Sequence, residues 1–277
     1  MNTDIQALWA RRRKRTLKIA IAGLVACLLA GVGISQRQIT FHDPNEGPPV
    51  DEFQVARVKY RTRGGAGSRG IIQPWWAVDY PLAEEHFFAA LRRLTNVSVA
   101  DDSRHLELSD PRIFQFPFLF MQQPGQGNWR PTEEEAANLR EHLLRGGFLL
   151  VDDFHGEFEW SVFQTSMKRV FPDRPIVEIR QDDPLMHVFF DLDMDRGTPI
   201  PGARHVRSRG GQVSVRMEGP PHWRGIYDDD GRLMAAMNFN IDMGDSWEHA
   251  DDPYYPNPMT ALAYRLGVNY VIYAMTH

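Results

Sequence analysis

Asp152, Asp153 and His155 stand within four residues of one another, directly after the apolar run Phe148-Leu149-Leu150-Val151. Two adjacent carboxylates with an imidazole beside them can hold a hard cation or exchange a proton with a bound ligand. The competing explanation is structural: one aspartate caps the following helix and the other is solvated. Similar residues recur after other apolar runs. Asp79 lies just before Pro81, Gln122 and Gln123 follow Phe116–Met121, and Asn238, Asp242 and Trp247 follow a later run, Leu233–Phe239. If those runs are strands of one open parallel sheet, all these groups gather outside its carboxyl edge, where such sheets bind ligands. The candidate ligand or metal site is therefore Asp79, Gln122, Asp152, Asp153, His155, Asn238, Asp242 and Trp247, with a divalent metal compatible with the donors. Strand alternation points adjacent aspartates in different directions. Asp152 is expected to support the site, with Asp153 and His155 facing the crevice and Asp79 opposite them.

Other motifs carry less. Gly65-Ala66-Gly67-Ser68-Arg69-Gly70 is a literal G-x-G-x-x-G, but dinucleotide binding needs a helix to start at that loop. The next helical pattern starts about ten residues later, so no nucleotide cofactor is expected. Asp191-Leu192-Asp193-Met194-Asp195 suggests a calcium loop, yet Arg196 and Gly202 stand where an EF-hand needs Gly and Glu. Trp75, Trp76, Trp129 and Trp247 fit ordinary packing better than an aromatic floor for a sugar or peptide. The ten histidines form no zinc motif, and the single cysteine, Cys27, lies in an apolar N-terminal stretch.

The elements that must position these groups follow from periodicity. Phe53–Tyr60 alternates as a strand, and Pro81–Leu94 has helical spacing. Val97–Ala100 reads as a short second strand and Phe116–Met121 as a third. Thr132 with Glu135 forms a capping box for a helix ending at Gly146-Gly147. Phe148–Val151 is the fourth strand, with a helix over Glu157–Val170. Arg224–Asp228 and Leu233–Phe239 form a hairpin around Asp229-Asp230-Gly231, and Pro258–Ala274 is a closing helix. Continuous apolar strands alternating with helices predict an α/β fold, a three-layer sandwich with a mostly parallel open sheet.

The first fifty residues differ in kind. Residues 1–15 form a basic tail, 16–35 an apolar stretch near the length of a minimal membrane span, and 36–52 a polar, proline-containing linker. Arg11–Arg15 favour a cytoplasmic N-terminus, which sends residues 53–277 outside the cytoplasm. A lipoprotein signal ending at Cys27 and a cleaved signal peptide are alternatives with the same outcome for the body. Residues 1–18 carry six Lys or Arg and one Asp, +5, so the remainder of a chain of net charge −5 carries −5 − 5 = −10. That acidic body argues against nucleic acid as a partner. The partners expected are the membrane, through the N-terminal helix, and proteins of the cell envelope.

Trp75-Trp76-Ala77-Val78-Asp79-Tyr80-Pro81, Leu108-Ser109-Asp110-Pro111, Phe116–Met121, Leu143–Asp153, Met167–Pro172 and Tyr264–Asn269 follow one another in order. Together they resemble the bacterial domain-of-unknown-function family 4159, over about residues 53–277. The resemblance implies a class I glutamine-amidotransferase-like, flavodoxin-like fold. Amidotransferases of that fold carry a cysteine on the sharp strand-to-helix turn. Here the turn is Asp152-Asp153-Phe154-His155-Gly156, without Cys or Ser, so glutaminase chemistry is not expected. The leading expectation is a non-catalytic binding or assembly module on the outer face of the cytoplasmic membrane. The alternative is a carboxylate- or metal-dependent hydrolase using the strand-end Asp/His cluster. Convergence of these side chains in one place separates the two.

Overall fold

The computed structural model describes residues 52–68, 71–192, 198–209 and 212–277. The readings for the tail, the apolar stretch and the linker up to residue 51 lie outside these described residues. Among the described residues, no helix is long and apolar enough to cross a membrane.

The chain forms β1 (Val55–Lys59), β2 (Gly65–Ser68), β3 (Ile71–Pro74), α1 (Leu82–Leu94), β4 (Arg104–Glu107) and β5 (Phe118–Gln122). Next come α2 (Glu133–Leu144), β6 (Phe148–Phe154), α3 (Gly156–Val170) and the short β7 (Val177–Glu178). The last part holds β8 (Val206–Arg209), β9 (Gln212–Val215), β10 (His222–Tyr227), β11 (Leu233–Phe239), α4 (Met243–Glu248) and α5 (Asn257–Thr276). The main sheet has seven strands in the order β4-β1-β5-β6-β11-β10-β7. Pairing is parallel from β4 through β11 and antiparallel where β10 and β7 are added at one edge. This is an α/β fold built on a large, mostly parallel sheet.

The side-chain period of two divides the core between the two faces. Phe118, Phe120, Phe148 and Leu150 pack with Phe87, Phe88 and Leu91 of α1 and Leu266 and Tyr270 of α5. Leu119, Met121, Leu149 and Val151 pack instead with Leu139 and Leu143 of α2 and Phe163 and Met167 of α3. Helices therefore cover both faces, which is why the central strands are apolar throughout rather than alternating. Each fully buried Leu or Phe contributes roughly 1.5–3 kcal/mol. The expected capping box is present: Glu135 N donates to Thr132 Oγ1 at 3.2 Å and Thr132 N to Glu135 Oε2 at 2.7 Å.

The second strand is a correction. Val97–Ala100 contributes only an isolated parallel bridge, Phe53 to Val99. The strand beside β1 is β4, Arg104-His105-Leu106-Glu107, whose polar sequence reads as a loop. Arg104 and His105 are buried there because a polar network receives them. Arg57 of β1 is fully buried and pairs with Glu84 at 2.7 Å, and Ser103 Oγ joins the same carboxylate at 3.3 Å. Burial holds the His105 ring neutral, pushing its pKa down to about 3, with the Arg57 and Lys59 charges adding to the effect.

Candidate functional site

The carboxyl ends of the parallel strands converge on one polar cluster. Asp79 enters from the turn before α1. Its backbone lies in the left-handed region at φ 66°. Arg57 holds this turn from below: Nη1 donates to the carbonyls of Trp76 at 3.0 Å and Val78 at 2.9 Å. Gln122 Nε2 donates to Asp79 Oδ2 at 2.6 Å. Gln123, at the end of β5, has φ 51° and donates through Nε2 to Asp153 Oδ2. Tyr60 Oη lies 2.7 Å from the carbonyl of Gln122 and 2.8 Å from that of Gln123, fixing both glutamines under the cluster.

Asp152 and Asp153 diverge. Asp152 is fully buried and accepts from Asn238 Nδ2 at 2.9 Å, Met243 N at 2.7 Å and Gly244 N at 3.1 Å. It thus ties β6 to β11 and satisfies the first amides of α4, whose dipole favours a negative charge there. Burial pushes its pKa up to about 7, against the pull of those hydrogen bonds. Asp153 turns away at φ 54°, beside a register shift between β6 and β11, and lies 3.1 Å from His155 Nε2. Asn240, at φ 56°, accepts from Gly156 N at 2.9 Å and closes the turn into α3. Left-handed, non-glycine residues thus stand at the ends of successive elements around one point, a strain that concentrates at functional sites.

The groups close on each other. Single ligand atoms of Asp79, Asp242 and Asp245 lie within 4.8 Å of one another, as do those of Asp153, His155 and Asp242, and of His155, His205 and Glu218. Asp242 is shared by the first two sets and His155 by the last two. Asp79, Asp153, His155, His205 and Asp242 are all buried. Among the described residues none of Asp79, Asp153, Asp242 and Asp245 pairs with a Lys or Arg within salt-bridge distance. Arg204 supplies the nearby positive field, acting on Asp153 and Asp242.

The electrostatics follow from this crowding. Burial raises the Asp79 carboxyl well above the usual range, and repulsion from Asp245, Asp153 and Glu248 adds to it. Asp242 is raised in the same way, by burial and then by Asp153, Asp245 and Asp79. Asp245 and Glu248 are raised by burial and neighbouring charge. Asp153 goes the other way: burial opposes ionisation, but His155, Arg204 and a hydrogen bond with Asp242 outweigh it. Without a cation, such a cluster keeps protons on some of its carboxyls; a divalent cation would replace them.

Two imidazole nitrogens point to what the cluster can accept. His205 Nε2 faces Glu218 Oε2 at 2.8 Å, which only accepts, and Arg204 Nε at 3.2 Å, which only donates, so the two partners compete over its tautomer. His205 Nδ1 and His155 Nδ1 are both buried without a hydrogen-bond partner among the described residues, the latter with Glu218 Oε2 3.6 Å away. Burial keeps the His205 ring neutral by lowering its pKa. Gly202 leaves the space: a Cβ there would lie 2.5 Å from Asp242 Oδ2, 3.1 Å from Asp245 Oδ2 and 3.2 Å from His205 Nδ1. A carboxylate anchoring the far nitrogen of a ligand histidine is the usual way a metal site fixes the imidazole.

Residues 54–275 match the family described as Domain of unknown function (DUF4159). The chain belongs to that family. A comparison with curated proteins finds no match. The matched span of this DUF4159 chain takes in every residue of the cluster.

Of the residues singled out in the sequence, Asp79, Gln122, Asp153, His155 and Asp242 lie in the cluster, while Asp152 and Asn238 lie beneath it. Asn238 bridges Asp152 and the hydroxyl of Tyr270, which donates to Asn238 Oδ1 at 2.7 Å. Trp247 belongs to the core: it stacks on Phe87 at 4.2 Å and is 4% exposed. Gly65–Ser68 forms β2, with Arg69 and Gly70 outside the described residues, as are Asp193, Met194 and Asp195 of the acidic repeat. Sequence reasoning did not find Asp245, Glu248, His205 or Glu218. The spacing Asp242-x-x-Asp245-x-x-Glu248 was the available signal, because it puts acids on successive turns of one short helix. His205 and Glu218 flank the β8–β9 hairpin, thirteen residues apart, and no local pattern joins them. A cleft of about 350 Å³, lined in part by Glu178, Met186, His222 and Trp223, contains none of the cluster residues.

Proposed function

We propose that this domain is a divalent-metal-dependent hydrolase, with the cation held by Asp153, Asp242 and His155 and by the adjoining Asp79, Asp245 and His205. The observation that carries it, among the described residues, is the convergence of carboxylates that meet no Lys or Arg with two buried imidazole nitrogens, His155 Nδ1 and His205 Nδ1, that have no hydrogen-bond partner. Mixed carboxylate and imidazole donors suit borderline ions such as Mn²⁺ or Zn²⁺ better than Ca²⁺. A cation held there would lower the pKa of a water in its coordination shell and so supply a nucleophile near neutral pH. Asp152 is the supporting carboxylate, as its hydrogen bonds to α4 indicate, and Arg57 holds the turn that presents Asp79.

The binding-module reading keeps part of its support, since Asp242 caps α4 by accepting from Asp245 N at 2.8 Å and Asp245 accepts from Ala203 N at 2.7 Å. Asp79 and Asp153, however, serve no helix cap and meet no Lys or Arg within salt-bridge distance among the described residues. The parallel sheet and the sharp Asp152–Gly156 turn support the resemblance to the amidotransferase-like superfamily. In that reading a metal-ligand run occupies the place of the nucleophilic cysteine. We also propose that residues 16–35 anchor the domain to the cytoplasmic membrane with its body outside, on the strength of the basic flank and apolar run. A phosphatase fused to the C-terminus should be active, and activity of a cytoplasm-restricted reporter there would refute the topology.

The hydrolase reading is tested by screening chromogenic carboxylic and phosphoric esters with protein stripped of metal and then reloaded with Mn²⁺ or Zn²⁺. Hydrolysis should require the metal and fall by at least about 10²-fold in Asp153→Asn, a loss typical of a group bound to the reacting centre. Activity that survives both chelation and Asp153→Asn would sink it.

A further inference from the structure

We propose that the substrate carries a phosphoryl group, received by an arginine-bearing arm that rises from the rim of the cluster. This rests on the metal-site reading and names its substrate class. The arm is the β8–β9 hairpin, with Arg207 opposite Ser214 and Arg209 opposite Gln212. Because side chains alternate along a strand, Arg207 and Arg209 share one face with Ser214 and Gln212, and the valines 206, 213 and 215 take the other.

Charge is concentrated here against the trend of the molecule. Residues 203–219 contain Arg204, Arg207, Arg209 and Arg216 against Glu218 alone, 4 − 1 = +3, in a body that is strongly acidic. The root of the arm is built into the cluster through Arg204, His205 and Glu218, with Arg216 N donating to the His205 carbonyl at 3.0 Å. Arg204 is committed to balancing the carboxylates of the cluster. Arg207 and Arg209 are not. Both are exposed; Arg207 donates only to the carbonyls of Arg204 and Val206, and neither has a carboxylate partner among the described residues.

Guanidinium groups pair with phosphate oxygens through two parallel hydrogen bonds, a geometry lysine does not offer. An acidic cluster would repel such a group on its own; with a cation bound it becomes attractive, and the arginines on the arm add the remaining contacts. In the reaction, water adds to phosphorus and the bond from phosphorus to the leaving oxygen breaks. The leaving oxygen keeps the electron pair and takes the proton that the water gives up. A soluble phosphate ester and a phospholipid headgroup offer the same chemistry.

The test uses the full chain in detergent micelles. Calorimetry measures Mn²⁺ binding first, then inorganic phosphate and dihexanoyl phosphatidylglycerol binding to the Mn²⁺-loaded protein. The double variant Arg207→Ala/Arg209→Ala should bind Mn²⁺ as the parent does and both phosphoryl probes at least about tenfold more weakly. Tighter binding of the lipid assigns the group to a headgroup, and tighter binding of phosphate assigns it to a soluble ester; either upholds the phosphoryl assignment. Equal affinity of parent and double variant for the phosphoryl probes overturns it, as does a Mn²⁺-loaded parent that binds neither. A parent that fails to bind Mn²⁺ overturns the metal site itself, a separate result read in the first arm.

Discussion

Replacing Asp152 with alanine removes one carboxylate from beneath the site, leaves the buried amides Met243 N and Gly244 N without a partner, and leaves Asn238 Nδ2 only the weak acceptor Met243 Sδ at 3.0 Å. At roughly 1–3 kcal/mol for each of the two amides, with a smaller loss at Asn238, the cost is about 3–6 kcal/mol. An opposing effect depends on pH. The Asp152 pKa is raised to about 7 in the fold, so the folded protein holds this proton more tightly than the unfolded chain. Its contribution to stability is full below the unfolded value near 4 and fades as pH rises to about 7. At pH 5 the faded part is about 1–2 kcal/mol, and above pH 7 it reaches about 4 kcal/mol. Asp152→Ala should therefore destabilise the chelator-treated protein by about 2–4 kcal/mol at pH 5 and by clearly less at pH 8. Asp152→Asn should be milder, because a flip of the Asn238 amide restores complementary partners. Urea denaturation of the parent and both variants at the two pH values measures this. A cost at pH 5 no greater than that of a surface alanine, or one that grows with pH, would refute the assignment of Asp152 as the support.

Asp242→Asn should raise the stability of the metal-free protein at pH 8 and change it little at pH 5, since burial and neighbouring charge make the ionised form costly only at the higher pH; thermal unfolding in chelator at both values checks this. Gly202→Ala should weaken Mn²⁺ binding by tenfold or so without altering far-ultraviolet circular dichroism, because its Cβ would intrude on Asp242, Asp245 and His205 together. Unchanged Mn²⁺ affinity in that variant would place the cation elsewhere.

Much of this arrangement was readable from residue order. The apolar runs of β5 and β6 had to be central strands because they offer no polar face, and Asp229-Asp230-Gly231 had to turn because Gly231 takes φ 83°. The same logic put Asp153 and His155 at the sheet edge and separated them from Asp152. What escaped was set by distant partners. β4 offers no apolar strand pattern because Arg104 and His105 are polar, and their burial rests on Gln54 for Arg104, and on Ser103 with the distant Glu84 behind it for His105. α4 has six residues, too few for a periodic apolar pattern, so the three-residue spacing of Asp242, Asp245 and Glu248 was the one signal that pointed to it. His205 and Glu218 meet only because the β8–β9 hairpin brings its two ends together. Trp247 stands close enough in sequence to suggest a site wall, yet the stack on Phe87 draws it into the core.

The central claim is that Asp153, Asp242 and His155, with Asp79, Asp245 and His205, hold a divalent cation. Asp153→Asn is the most direct probe, because asparagine tolerates the left-handed backbone at φ 54° and keeps an acceptor for Gln123 while losing the charge. Protein stripped with chelator is titrated with Mn²⁺ and Zn²⁺ by isothermal calorimetry at pH 7.5, alongside Asp153→Asn. Saturable binding by the parent, weakened at least about tenfold in a variant whose metal-free unfolding curve is nearly unchanged, is the expected result. No binding of either ion by the parent, together with a lower metal-free stability of Asp153→Asn, would contradict it and make the cluster structural.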